Sequence, residues 1–126
     1  MPKHSSLTLQ DIAQRFSDTA DFGGVKVHSV NQKGILGSSL LHLAAYHADH
    51  EAIKSLLLLG ADPNLPGDRG DSPLHDAVLS KDIESVKILM FNGADPTQCN
   101  DFGCTALQRA EQEGATHLLP FLRKEK

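Results

Sequence analysis

The residues best equipped for chemistry gather in a few short stretches. His42, His47 and His50 lie close together, and imidazole is a common zinc ligand. No carboxylate or thiol stands at a spacing that completes a tetrahedral set with them. Cys99 and Cys104 flank Asn100-Asp101-Phe102-Gly103. Zinc takes four ligands from tighter paired motifs, and there is no second cysteine pair. A disulfide across that turn is geometrically conceivable, but two ordinary thiols are expected in a reducing compartment. Asp101-Phe102-Gly103 spells the kinase magnesium motif, yet the glycine-rich loop, strand lysine and catalytic loop are missing. Arg69-Gly70-Asp71 spells an integrin-binding tripeptide, in a place where a turn alone accounts for it. No nucleophile elbow, phosphate-cradling glycine loop or Cys-His-Asp order emerges. The carboxylate pairs Asp68 with Asp71 and Glu111 with Glu113 fall at loop tips or helix ends, where solvated charge is the expected role. The reading is of a chain that is not an enzyme and uses no cofactor.

The elements that must position these residues repeat. Gly37-Ser38-Ser39-Leu40-Leu41-His42 aligns with Gly70-Asp71-Ser72-Pro73-Leu74-His75, and again with Gly103-Cys104-Thr105-Ala106-Leu107-Gln108. Each step is 33 residues, and Gly60-Ala61-Asp62-Pro63 recurs as Gly93-Ala94-Asp95-Pro96 at the same step. Ser39, Ser72 and Thr105 stand where a hydroxyl caps a helix N-terminus, and Pro73 suits a first helical turn. Leu41, Ala44 and Ala45 form a narrow apolar face that lets helices approach closely. Ala52, Ile53, Leu56 and Leu57, then Val86, Leu89 and Met90, mark second helices. Gly60 and Gly93 follow them, where a left-handed residue ends a helix. Asp62-Pro63 and Asp95-Pro96 turn the chain into an extended loop.

This pattern resembles the ankyrin repeat, over residues 34 to 126. The resemblance implies an all-α fold: an ankyrin-repeat solenoid of stacked helix-turn-helix units carrying hairpin fingers. A single domain over 1–126 is expected, with a degenerate capping unit at 1–33, full repeats at 34–66 and 67–99, and a C-terminal capping repeat at 100–126. In the first unit Leu9, Ile12, Ala13 and Phe16 have helical spacing, and Thr8 with Asp11 fits a capping box. Residues 17 to 30 read equally as helix, hairpin or loop, and a second helix there is expected to be short or missing. In the last unit Gln108 replaces the histidine, Glu111 a small residue, and Pro120 falls where a second helix should run. Terminal repeats need a polar outer face.

The resemblance also assigns roles. The family's histidine, here His42 and His75, ties adjacent units together. Contacts to a protein partner come from the fingers and the exposed face of each first helix. Carried over by register, these are Leu36, Ser38, Tyr46 and His47, then Asp68, Arg69, Asp71, Leu79 and Ser80, and finally Asp101, Phe102, Cys104, Gln112 and Glu113. Aromatics are scarce, with five Phe, one Tyr and no Trp, so Phe102 and Tyr46 are the expected anchors. Packing of Phe102 against its own hairpin is an equal alternative.

The net charge of −4 and pI of about 5.9 favour a partner with a basic patch over nucleic acid. Hydrophobic content of 40% suits a globular chain. The longest apolar run, Leu56 to Leu59, is too short to span a membrane, and no secretory segment opens the chain. A cytoplasmic protein binding no small-molecule substrate is expected. The lead-in Leu9-Gln10-Asp11-Ile12-Ala13-Gln14-Arg15-Phe16 resembles small bacterial ankyrin proteins encoded beside toxin genes as immunity proteins. That resemblance implies steric occlusion of a toxin enzyme, often a basic nuclease. A general adaptor or inhibitory subunit is the alternative. A third reading is a DNA-associated regulator, since Thr8–Ala13 is similar to the opening helix of a lac-repressor-type helix-turn-helix. It requires a recognition helix soon after, where Asp21-Phe22-Gly23-Gly24 stands instead.

Overall fold

A computed structural model describes residues 6–123. Seven α-helices run along them: α1 Leu9–Arg15, α2 Leu40–Tyr46, α3 His50–Leu58, α4 Pro73–Ser80, α5 Ile83–Phe91, α6 Ala106–Gln112 and α7 Leu119–Leu122. Every α1-to-α6 start is capped by a side chain. Thr8 and Asp11 close the box expected of them on α1. Gly60 and Gly93 lie just beyond α3 and α5 at φ of 100° and 94°, conformations in which a side chain is strained.

The helices stack in two rows. In one, α4 packs between α2 and α6; in the other, α5 packs between α3 and α7. Within a unit, α2 packs on α3, α4 on α5 and α6 on α7. The first row approaches closely because its contact residues are small: Ala44, Ala45, Ala77, Ala106 and Ala110 are all fully buried. The second row supplies bulk through Ile53, Leu56, Val86, Leu89, Leu118 and Leu122. Burial of apolar surface at about 25 cal/mol per Å² is the main force holding the rows together.

His42 and His75 weld the units. The Nδ1 of His42 accepts the Ser39 amide at 3.0 Å, and its Nε2 donates to the Asp71 carbonyl 2.9 Å away in the next unit. A carbonyl can only accept, so the proton must sit on Nε2. Burial also lowers the pKa of His42, with hydrogen bonds to Asp71 and Leu65 carbonyls opposing, so the ring stays neutral. His75 repeats the arrangement, from the Ser72 amide at 3.0 Å to the Cys104 carbonyl at 2.8 Å. Gln108 keeps the local half: its Oε1 accepts the Thr105 amide at 2.9 Å. A second ladder runs at the same step. Asn31 Oδ1 accepts the Asp62 amide, and Asn64 Oδ1 the Asp95 amide, both at 2.8 Å.

Among its described residues the N-terminal unit has one helix. Residues 16–24 form successive turns and 25–28 run irregularly, which resolves the open choice at 17 to 30 as loop. Phe22 and Val27 nevertheless reach the core. Arg15 fixes α1 to the start of α3, bridging Asp49 at 2.8 Å and Glu51 at 2.7 Å. At the other end Pro120 does not abolish the second helix. It enters the first turn of α7, where no amide donor is required, and a 3₁₀ turn at Thr116–Leu118 leads into it.

Candidate protein-binding surface

Three hairpin fingers precede α2, α4 and α6. Their closing bonds run from Gly34 N to Ser38 O (2.8 Å), Gly67 N to Asp71 O (2.7 Å) and Asn100 N to Cys104 O (2.9 Å). The fingers are also bonded to one another. Asp68 N donates to Ser38 Oγ at 3.3 Å, Asp101 N to Arg69 O at 3.0 Å, and Asn100 Nδ2 to Asp71 Oδ1 at 2.9 Å. Asp21 anchors the first finger from the N-terminal side: its carbonyl accepts the Ile35 amide at 2.9 Å and its Oδ1 the Leu36 amide at 2.7 Å. A row of fingers fixed in this way loses little entropy on meeting a partner.

The expected contact residues divide into three groups. Leu36, Tyr46, His47, Asp68, Arg69, Asp101, Phe102, Gln112 and Glu113 are exposed. Phe102 is 75% exposed and does not pack into its own hairpin, and Tyr46 is 53% exposed. His47 stacks on Phe16 at 5.7 Å, with Tyr46 edge-on at 5.3 Å. Asp71, Leu79, Ser80 and Cys104 are half-buried. Asp71 braces the third finger through Asn100, Ser80 turns its hydroxyl to the Ala77 carbonyl, and Cys104 Sγ lies 3.8 Å from Gln112 Oε1. Ser38 forms the third group and needs correction: it is buried. Its amide points to Asp21 and its hydroxyl accepts from Asp68, so the second finger covers it.

Two residues escaped the register. Ile35, beside Leu36, is 69% exposed at the tip of the first finger. Asp76 stands on α4 one turn before Leu79 and Ser80, in line with Leu43 on α2 and Arg109 on α6. All three are half-buried. Burial first, and Asp71 next, push the Asp76 carboxyl up to about 8; Arg109 opposes this, while Asp68 and Asp21 add to it. Burial and the neighbouring carboxylates together hold the proton on Asp76.

Among the described residues no three His, Cys, Asp or Glu side chains come together to hold a metal ion. His50 is instead 2.5 Å from Asp82. Both cysteines are free thiols, Cys99 exposed. Across its hairpin Cys99 pairs with Thr105, not with Cys104. After α1 no helix appears among the described residues until Leu40, so no recognition helix stands beside it. No described helix is long and apolar enough to cross a membrane.

A family model for ankyrin repeats in three copies matches residues 10–100 and 41–126. The chain belongs to the ankyrin-repeat family. The comparison with curated proteins finds no match. Ankyrin repeats are protein-interaction modules, generally without catalytic activity.

Proposed function

We propose that this ankyrin-repeat protein binds a partner carrying a basic patch through its fingertips and first-row helices. One observation carries the reading. The tips present apolar anchors, Ile35, Leu36 and Phe102, beside the exposed carboxylates Asp68 and Asp101, all on hydrogen-bonded fingers. Apolar anchors ringed by charge are the arrangement from which interfaces draw affinity and orientation. Arg69 alone opposes the acidic sign at the second tip. Asp76, its carboxyl pKa raised to about 8, is protonated at neutral pH and adds no negative charge there, so the acidic sign rests on Asp68 and Asp101.

The finer reading is an immunity-type protein that covers a toxin enzyme's active site or substrate path. It is supported by the likeness of the α1 lead-in to such proteins and by an acidic surface suited to a basic nuclease. Mechanism is then steric and needs no catalytic group. The test is to co-express the toxin encoded beside this gene, where one is present, with the wild type and with Asp68→Lys/Asp101→Lys. Protection by the wild type and its loss in the variant support the reading; failure of the wild type to protect removes the toxin reading and leaves general partner binding to be tested by capture.

A further inference from the structure

The second helical row carries an exposed pattern that the fingers do not use. Glu51, Lys54 and Leu58 lie at i, i+3 and i+7 on α3, and Glu84, Lys87 and Phe91 repeat them on α5; all six are exposed. At that spacing each triplet occupies one helical face. Leu58 is 77% and Phe91 90% exposed, the latter the highest figure for a large hydrophobic side chain among the described residues. A phenyl ring left that bare contributes almost nothing to the chain's own core.

Phe91 borders a mainly apolar groove of about 430 Å³, lined also by Lys54, Glu84, Lys87, Ile88 and Asn92. Past Lys54 and Asn92 the groove continues to Leu57 and Leu58. A projecting ring and a hollow thus share one patch. Glu51 is already held by Arg15 and Lys87 lies 5.7 Å from the Phe121 ring centroid. That leaves Glu84 and Lys54, one charge of each sign, beside the groove, so no strongly acidic or strongly basic partner is favoured. A patch that holds both the knob and the hole, and both signs of charge, is complementary to itself. That is the requirement of an interface with two-fold symmetry, in which the same surface serves both copies.

We propose that a second copy of this chain docks on the α3–α5 face. Each copy's Phe91 enters the other's groove, with Glu84 of one copy meeting Lys54 of the other. The docking does not rest on the proposed partner, and it leaves the finger residues open in both copies. A contact built on two helices per copy is small, and small interfaces are weak.

Sedimentation velocity over roughly 5–500 µM chain covers that regime. The result expected is a shift from 13.6 kDa toward twice that mass and no further. Phe91→Glu, at a position too exposed to disturb folding, is expected to weaken association at least tenfold. Phe102→Glu, on the third finger, is expected to leave it unchanged. A wild type that stays monomeric throughout overturns the proposal. So does a dimer indifferent to Phe91→Glu, a dimer lost on Phe102→Glu, or growth beyond two copies.

Discussion

Replacing Asp76 by Asn should stabilise the protein, and increasingly so as the pH rises. The folded-state pKa of about 8 stands well above the ordinary value of 3.8. Between those values the folded chain holds a proton that the unfolded chain has released, so stability falls as pH rises. The stability associated with the neutral carboxyl is full below about pH 4 and lost by the time the pH passes through 8. Each pKa unit corresponds to about 1.4 kcal/mol, so the shift taken whole is worth several kcal/mol. Asp76 is half-buried rather than sealed, and water screens much of that, leaving about 1–2 kcal/mol. Asparagine keeps the shape and removes only the ionisation. Urea unfolding followed by circular dichroism at pH 4.5, 6.5 and 8.5 measures the difference directly. The two proteins should be nearly matched at the lowest pH, with the variant ahead by about 1–2 kcal/mol at the highest. A difference that is flat with pH, or that favours aspartate at high pH, refutes the assignment of a repelled carboxyl at this position.

His75→Ala removes the acceptor of the Ser72 amide and the bond to the Cys104 carbonyl, and should cost about 2–4 kcal/mol in urea midpoint analysis. Gly67→Ala would set a Cβ 2.6 Å from His42 Nε2; the expected cost of about 1–3 kcal/mol should shrink in a His42→Ala background, which a double-mutant cycle reads. Asn64→Ala opens the bonds to the Asp95 amide and Gly93 carbonyl and should lower stability by about 1 kcal/mol. Hydrogen exchange at the Asp95 amide should quicken in the same variant.

Most of the fold was legible because a repeat states its rules several times. The hydroxyl caps, the alanine faces and the glycines after α3 and α5 each recur at one step, and each has a local physical cause. The N-terminal unit lacked that redundancy. Asp21 replaces a repeat bond with a bond of its own invention, and nothing in Thr19-Ala20-Asp21-Phe22 signals that its carboxylate reaches the first finger. The site was legible as a set of positions and less so as a surface. Register placed Ser38 correctly along the finger, but whether the neighbouring finger covers it depends on stacking distance. Asp76 was invisible for the opposite reason: the carboxylates that act on it come from two other segments, Asp68 and Asp71 from the second finger and Asp21 from the N-terminal unit. Pro120 read as a helix breaker because the start of α7 could not be located before the 3₁₀ turn was known.

The central claim is that the acidic fingertips engage a basic protein partner. Paired capture from a lysate of the native host, with wild type and Asp68→Lys/Asp101→Lys as baits, tests it most directly when the recovered protein is then followed by association rate at low salt. The account predicts a basic-patched protein retained by the wild type whose association with the double variant is at least about tenfold slower. An unchanged association rate, or retention of duplex DNA in place of a protein, contradicts it.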